Sequence, residues 1–170
     1  MGFLNKVFGG KQETAPAIET EKNVVYAPLE GTVIALSEIN DGVFSEGVLG
    51  QGCGIQPDSE TVTAPFHGTI TQVADTKHAI GLLSEDGVEV LIHVGLDTVS
   101  MNGKGFTVHV KMGERVQCGQ KLLTFSKKDI AEAGFSDTTA VLVTNTDDYE
   151  SVMLEKKGKA AVSEKLISVR

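Results

Sequence analysis

The chain has 170 residues, of which 41% are hydrophobic and 19 are glycines, and its formal net charge is −8. This length and apolar content favour one compact domain, and the acidic balance argues against a nucleic-acid partner, which requires clustered Lys and Arg. Cys53 and Cys118 stand alone, so neither a zinc site nor a disulfide framework is predicted. Because no apolar run is long enough to span a membrane and no signal-peptide core is found, we expect a cytoplasmic protein.

The first 22 residues are predicted to lie outside the globular domain. Residues 1–10 carry an apolar stripe at helical spacing, formed by Phe3, Leu4, Val7 and Phe8. An isolated helix this short is marginal in water, so a frayed terminus is the simpler interpretation. The alternative is at most a peripheral membrane contact through residues 1–10. Residues 9–22 are polar and contain Gly and Pro, which is typical of a flexible linker, and a single domain is expected over residues 23–170.

The rest of the chain is a succession of short apolar runs separated by turn residues such as N-D-G and E-D-G. Strands are predicted at residues 32–36, 60–64, 69–74, 79–84, 88–94, 106–110, 121–125, 140–145 and 166–169. One helix is predicted at residues 127–133, where Ser126 caps the start, Asp129 completes a capping box and Gly134 ends the helix. This pattern indicates an all-β fold, an antiparallel β-sandwich or flattened barrel with one or two short helices.

The sequence also contains an internal repeat. Residues 27–33 read A-P-L-E-G-T-V, and residues 64–70 read A-P-F-H-G-T-I. In each copy a proline opens a turn, a glycine closes it and a β-branched pair begins a strand. The repeat predicts a duplicated motif whose two copies are related by a pseudo-twofold axis within one sandwich.

His93 lies in the middle of the aliphatic run V-E-V-L-I-H-V-G-L-D. A buried imidazole without hydrogen-bond partners costs about 1–3 kcal/mol, so its presence needs a reason. The E-D-G turn at residues 85–87 brings residue 78 roughly opposite residue 94, which places His78 beside His93 on adjacent strands. The structural alternative is a pair of core histidines with satisfied hydrogen bonds, but two neutral imidazoles meeting at one place favour a site.

Such a pair can accept a phosphoryl group and pass it on. Imidazole is a good nucleophile at neutral pH, provided that one ring nitrogen donates to a backbone carbonyl and the other keeps its lone pair free. The second histidine can donate to the phosphoryl oxygens. Gly95 leaves space for an approaching partner, and the Thr76 hydroxyl shares a strand face with His78. The other two histidines, His67 and His109, are predicted to be exposed and without a role.

Several longer stretches are distinctive: V-F-S-E-G-V-L-G-Q-G-C-G-I-Q-P, A-P-F-H-G-T-I, T-K-H-A-I-G-L and E-V-L-I-H-V-G-L-D-T-V, followed by the N-G-K-G-F turn. In this order they closely resemble the glucose-family enzyme IIA proteins of the bacterial phosphoenolpyruvate-dependent sugar phosphotransferase system, from M-G-F-L-N-K to the C-terminal strand. The resemblance implies that His93 becomes phosphorylated on Nε2 and that His78 stabilises the phosphoryl group. It also implies that the Thr76 hydroxyl orients His78 and that the Gly95 carbonyl holds His93 through Nδ1.

The resemblance further implies a place in a phosphoryl relay that supports sugar uptake. The donor would be the small carrier protein HPr, and the acceptor a cysteine in the IIB domain of a glucose-family sugar permease. The protein would work as a monomer without a cofactor, with zinc allowed only at a partner interface through His78 and His93. Some relatives also bind regulatory partners.

The same resemblance implies a docking face around the histidines. Its apolar ring would consist of Val43, Phe44, Val48, Leu49 and Val99. Asp41 and Asp97 would lie at the rim and meet arginines of the partners. For the Val43-Phe44 pair the alternative is ordinary core, since the sequence does not separate a buried pair from an exposed apolar patch.

Two other functions compete with the relay. His93 and Asp97 have the H-x-x-x-D spacing of a zinc peptidase family with a similar β-fold, which suggests a zinc-dependent hydrolase. That family also needs an H-x-H pair, and the sequence has none. The third candidate is a docking module without chemistry, which predicts that incubation with phosphoenolpyruvate, enzyme I and HPr leaves the mass unchanged.

Overall fold

The computed structural model describes residues 18–170, and within them the chain is built mainly from short strands. The strands are β1 (Val24–Tyr26), β2 (Gly31–Ala35), β3 (Gln51–Pro57), β4 (Thr61–Thr63), β5 (Gly68–Val73), β6 (Ala79–Ser84), β7 (Glu89–Val94), β8 (Phe106–Val108), β9 (Arg115–Val116), β10 (Lys121–Phe125), β11 (Thr139–Val143), β12 (Val152–Leu154), β13 (Gly158–Ala160) and β14 (Lys165–Val169). The α-helix α1 spans Lys127–Glu132. Short 3₁₀ helices span Leu36–Glu38, Phe44–Glu46, Thr98–Met101 and Thr146–Asp148.

The strands form three sheets. One has eight strands in the order β13-β2-β3-β11-β7-β6-β5-β9, and two have three strands, in the orders β1-β14-β12 and β4-β10-β8. Every strand pair in the described range is antiparallel. The prediction of an all-β antiparallel sandwich is therefore confirmed.

The predicted pseudo-twofold relation is visible in the backbone hydrogen bonds of the two repeated motifs. Tyr26, which precedes the first motif, donates its N–H to the Pro65 carbonyl of the second at 2.8 Å. Thr63, which precedes the second motif, donates to the Pro28 carbonyl of the first at 2.7 Å. The glycine of each motif begins a strand, β2 in the first copy and β5 in the second. The residue before each copy thus donates to the proline carbonyl of the other copy.

The sequence did not predict strands β1, β3, β9, β12 and β13. The longest of these is β3, which reads Q-G-C-G-I-Q-P and carries two glycines, residues that ordinarily weaken a strand. A Cβ at Gly52 would collide with the Val141 carbonyl oxygen of the neighbouring strand β11. The two backbones approach closely there and leave no space for a side chain. This requirement comes from tertiary structure, so the local sequence does not reveal it.

Of the two hydrogen bonds in the predicted capping box of α1, one is present. The Ser126 hydroxyl accepts a hydrogen bond from the Asp129 N–H at 3.0 Å, and Gly134 follows the helix with φ of 86°. The reciprocal half of the predicted capping box is wrong, because the Ser126 N–H donates instead to the Gly105 carbonyl at 2.8 Å. The backbone donor already has a partner in the preceding loop, so the Asp129 carboxylate is not needed there.

Strand β11 is buried on both faces because it lies between β3 and β7 in the eight-stranded sheet. Its residues Val141 and Val143 belong to the main hydrophobic core. Ala140 and Leu142 belong to a second, smaller cluster. The buried residues that complete this second cluster are Leu36, Ile39 and Phe44.

His67 is not the exposed turn residue that the sequence predicted. Its ring is half-buried, Nδ1 accepts a hydrogen bond from the Cys118 N–H at 3.1 Å, and Nε2–H donates to the Ile18 carbonyl at 3.0 Å. Ile18 belongs to the predicted linker, whose residue Glu21 also forms an ion pair with Lys165. His67 therefore joins the segment before β1 to a loop of the domain. The predicted apolar stripe of residues 1–10 lies outside the described residues.

Both cysteines are free and buried. Burial raises the pKa of the Cys53 thiol to about 12, which leaves it protonated and unreactive at neutral pH. Across residues 18–170, the helices fall short of the length and apolar character that a membrane crossing requires.

Candidate functional site

The β6–β7 hairpin brings two histidines together at the end opposite its turn. Ala79 pairs with His93, and the Val94 N–H donates to the His78 carbonyl at 2.8 Å, so the predicted register of residue 78 opposite residue 94 is confirmed. The centroids of the two imidazole rings lie 4.6 Å apart, with an interplanar angle of 81°. The sequence-predicted pair is therefore a real contact between rings.

His93 is held in one tautomer. Its Nδ1 lies 3.0 Å from the Gly95 carbonyl oxygen, and since a carbonyl only accepts, Nδ1 carries the proton. Burial, and then the neighbouring His78, lower the pKa of His93 from 6.5 to about 4, although the hydrogen bond to Gly95 acts in the opposite direction. At neutral pH the ring is uncharged, and Nε2 keeps a lone pair.

His78 is buried, and its partner is the residue that the sequence indicated. The Thr76 hydroxyl oxygen lies 2.8 Å from His78 Nδ1. Burial lowers the pKa of His78 below its usual 6.5, so this imidazole is also neutral at pH 7. The contact with Thr76 occupies Nδ1 and leaves Nε2 as the nitrogen available for another partner.

The turn after β7 gives the Gly95 carbonyl its position. Gly95 has φ of 83°, a left-handed conformation that favours glycine, and a Cβ there would collide with the side chain of Thr98. Thr98 is fully buried, and its hydroxyl donates to the Val94 carbonyl. Asp97 also adopts a left-handed conformation, with φ of 65°. The loop after β7 is thus a tight turn that is held by its own hydrogen bonds.

A half-open depression of about 480 Å³ lies over His93. Its lining residues are Asn40, Asp41, Val43, Phe44, His93, Leu96, Asp97, Val99, Gly134, Phe135 and Ser136. The Phe44 ring packs edge-on against His93, with the centroids 4.8 Å apart. Phe44 is only 7% exposed, so it belongs to the core of the second cluster, as the alternative for the Val43-Phe44 pair had it, and it also lines the depression beside the histidine.

The other predicted docking residues divide into two groups. Val43 and Val99 are about half exposed and line the depression. Val48 and Leu49 are exposed too, with Val48 at 73%, but they are not among the lining residues. Asp97 is exposed at the rim, where a basic partner could reach it.

Asp41 is engaged with its own turn. Its carboxylate accepts hydrogen bonds from the N–H groups of Val43, Phe44 and Ser45, at 3.2, 2.9 and 3.1 Å. Partial burial by itself would raise the pKa of Asp41, but these backbone donors outweigh it and hold the pKa below its usual value. Asp41 therefore keeps a negative charge beside His93 while it fixes the 3₁₀ helix that carries Phe44.

One wall of the depression has no signal in the sequence. Gly134, Phe135 and Ser136 come from the segment after α1, about forty residues beyond the histidines. Nothing in the local pattern of that segment indicates a site, because its role depends on where the β7 loop meets it in space. Asn40 and Leu96 also line the depression and were not predicted either.

A metal centre finds no ligand set here. In the part of the chain that the structure describes, three or more His, Cys, Asp or Glu side chains do not converge on any one point in a way that could hold a metal ion. The H-x-x-x-D spacing of His93 and Asp97 is thus not completed by a third ligand. The hydrolase alternative has no residues to support it in this range.

The fold and the site define a β-sandwich protein that presents a neutral, nucleophilic histidine in an open depression with mixed apolar and polar walls. The model of one family, the phosphoenolpyruvate-dependent sugar phosphotransferase system EIIA 1 family, matches residues 23–149. The chain belongs to this family. Its members are phosphotransferases that carry phosphoryl groups on a histidine, and the chain is a phosphoryl carrier of this kind.

Individual relatives agree with the family. The chain is 42% identical to the beta-glucoside-specific EIIBCA component of the phosphotransferase system of Bacillus subtilis over 170 residues, which are 99% of this chain and 28% of the relative. It is 43% identical to the glucose-specific EIICBA component of Streptococcus pneumoniae over 137 residues, 81% of this chain and 19% of the relative. The chain therefore spans only a minor part of these curated relatives.

A solved structure covers nearly the same unit. Glucose permease IIA from Mycoplasma capricolum superimposes with a TM-score of 0.81 at 36% identity, covering 87% of this chain and 96% of that one. The β-sandwich described above is thus the fold of a IIA protein.

Proposed function

We propose that His93 accepts a phosphoryl group on Nε2 from the phosphorylated carrier protein HPr and passes it to a cysteine in the IIB domain of a glucose-family sugar permease. The observation that carries the proposal is the hydrogen bond from His93 Nδ1–H to the Gly95 carbonyl. It fixes the tautomer in which Nε2 has a free lone pair, and the low pKa of His93 keeps that lone pair unprotonated at neutral pH.

The transfer needs no cofactor and no change of oxidation state. In the first step the P–N bond of the donor's phosphohistidine breaks as the P–Nε2 bond of His93 forms, and the donor imidazole leaves with the electron pair of the broken bond. In the second step the P–Nε2 bond breaks and a P–S bond forms at the acceptor thiolate. The Gly95 carbonyl stabilises the positive charge that the His93 ring gains while it is phosphorylated.

His78 has the supporting role in this proposal. When the Thr76 hydroxyl donates to His78 Nδ1, the proton of the neutral ring resides on Nε2. That N–H can donate to the phosphoryl oxygens, because the two rings are 4.6 Å apart. A zinc ion shared with a partner through His78 and His93 stays a prediction.

The partners would dock on the half-exposed side chains around the depression. Val43 and Val99 offer apolar contact, and Asp97 offers a negative charge to a basic partner. Transient complexes of this kind typically bury a total area of less than about 1,200 Å². The IIB acceptor is supported by the curated relatives, whose names combine IIB, IIC and IIA parts in one chain. We expect the chain to act in the cytoplasm as a monomer.

The experiment is a reconstituted relay with phosphoenolpyruvate, enzyme I, HPr and the purified chain, followed by mass spectrometry of the intact protein and its peptides. The wild-type chain should gain one phosphoryl group, located on His93. His93→Gln should gain none, whereas His78→Gln should still accept but fail to pass the group to a IIB domain. His109→Gln is the matched control, since that ring is exposed and, among residues 18–170, hydrogen-bonds only to Thr124. An unchanged mass of the wild type, as a pure docking module predicts, refutes the proposal.

A further inference from the structure

The segment that follows α1 is joined by hydrogen bonds to the loop that orients His93. The Gly95 N–H donates to the Thr138 carbonyl, and the Leu96 N–H donates to the Ser136 carbonyl, each at 3.0 Å. These bonds continue the contact between β7 and β11 beyond the end of the strands. The segment therefore forms one wall of the depression and also anchors the loop beneath it.

One of these bonds acts on the same peptide group that holds the histidine. The carbonyl of Gly95 and the N–H of Leu96 belong to a single planar peptide unit. Its oxygen accepts from His93 Nδ1–H, and its nitrogen donates to Ser136, so the plane is fixed at both ends. Because hydrogen bonds in such a chain polarise one another, the donation to Ser136 also makes the Gly95 oxygen a better acceptor.

An ion pair holds this segment to the rest of the domain. The Lys127 ammonium lies 2.6 Å from the Asp137 carboxylate and also donates to the Pro57 carbonyl at 2.7 Å. The Lys127 N–H, in the first turn of α1, donates to Glu60. In the sequence Asp137 lies between Ser136 and Thr138, whose carbonyls accept the hydrogen bonds from the loop after β7. The side chains of Lys127 and Asp137 are 39% and 28% exposed, so the pair is shielded from water in part.

We propose that Lys127 and Asp137 are positioning residues for the phosphoryl-accepting histidine. Their ion pair fixes the Ser136 and Thr138 carbonyls, these fix the Gly95–Leu96 peptide, and that peptide selects the Nδ1–H tautomer of His93. Neither residue touches the ring or the phosphoryl group. The proposal rests on the proposed function of His93, but the tautomer it concerns can be measured without any phosphoryl transfer.

The test is two-bond 1H–15N correlation NMR of 15N-histidine-labelled full-length chain, which reports the tautomer and the titration of each imidazole. Three variants are compared with the wild type: Asp137→Asn, Lys127→Met and the control Glu85→Gln. The control removes an exposed ion pair, Glu85–Arg115, at the far end of the β6–β7 hairpin. The wild type and the control should show His93 only as the Nδ1–H tautomer, whereas the two test variants should also populate the Nε2–H tautomer.

Rates of phosphoryl acceptance supply a second readout. Loosening one orienting hydrogen bond should lower kcat for acceptance from HPr by roughly fivefold, whereas KM for the donor should change less, because neither Lys127 nor Asp137 lines the depression. Lys127→Arg keeps the charge pair and should restore most of both signals. If the wild type accepts no phosphoryl group, the proposed function fails while the tautomer test still stands.

The proposal is overturned if His93 keeps a single tautomer and an unchanged titration curve in both test variants, or if the control changes as much as they do. Should neither test variant fold, the ion pair serves the fold and not the histidine, and the proposal is overturned by that outcome as well.

Discussion

The low pKa of His93 predicts a specific loss of stability in acid. The unfolded chain binds a proton at this ring from about pH 6.5 downward, whereas the folded chain binds it only from about pH 4. Between these values the unfolded state holds more protons, so the free energy of unfolding rises with pH in this window. The contribution of His93 to stability is therefore lost as the pH falls from about 6.5 to about 4. Replacing His93 with Gln removes the titrating group and should remove this part of the pH dependence.

The size of the effect follows from the shift. The pKa falls from 6.5 to about 4, and each unit corresponds to about 1.4 kcal/mol. Acidification from about pH 7.5 to about pH 4.5 should therefore cost the wild type about 2.5 kcal/mol more than His93→Gln. Titrating groups that do not interact with His93 are common to both proteins and cancel in the comparison.

The assay is urea unfolding followed by circular dichroism at several pH values, for the wild type, His93→Gln and His109→Gln. The exposed His109 serves as the control, and its variant should follow the wild-type curve. Parallel curves for the wild type and His93→Gln across the whole window would falsify the claim that the folded chain keeps this imidazole neutral. The same result would remove the basis for a free lone pair on Nε2.

Three further substitutions test other parts of the structure. Gly95→Ala places a methyl group against the Thr98 side chain at positive φ, and should lower the free energy of unfolding by about 3 kcal/mol in urea melts, together with phosphoryl acceptance. Ser163→Gly relieves a left-handed residue with φ of 70° and should raise that free energy by about 0.5 kcal/mol; a decrease would contradict the strain. His67→Ala frees the Ile18 carbonyl and should speed limited proteolysis before β1, without changing acceptance by His93; an unchanged cleavage rate would refute the anchor.

The sequence was sufficient for the histidine pair because its signal is local. A tight E-D-G turn sets the register of the two strands that follow and precede it, and alternation then decides which side chains share a face. His78 and His93 lie within one hairpin, so their contact needs no knowledge of the rest of the fold. The same holds for Thr76 and Gly95, each two residues from its histidine. The helix start at Ser126 was also predictable, since a cap acts within one turn.

The remainder depends on contacts between distant segments. The sequence leaves open whether Phe44 is core or surface, and it is buried because β11 and the Leu36–Glu38 helix provide a second hydrophobic cluster beneath it. The wall formed by residues 134–136 lies beside the site only because the loop after β7 bonds to it. The glycines of β3 make this strand hard to predict from the sequence. Gly52 is required by the close approach of β11, which lies far along the chain.

The site reconciles two demands that oppose each other. A phosphoryl-accepting imidazole must be neutral at working pH, which favours burial, but it must also be reached by another protein, which favours exposure. His93 is half-buried, and its neutrality comes from the Phe44 side chain packed on one edge and from His78 on another, while the depression above stays open. Phe44, which packs on the ring, lies in a short 3₁₀ helix, and His78 directly precedes β6. Of the groups that would meet partners, Val43 and Asp97 lie in loops, and Val99 lies in another 3₁₀ helix. Partner contacts can change at Val43 or Val99 without altering the tautomer of His93, because that tautomer is fixed from below by the Gly95 carbonyl.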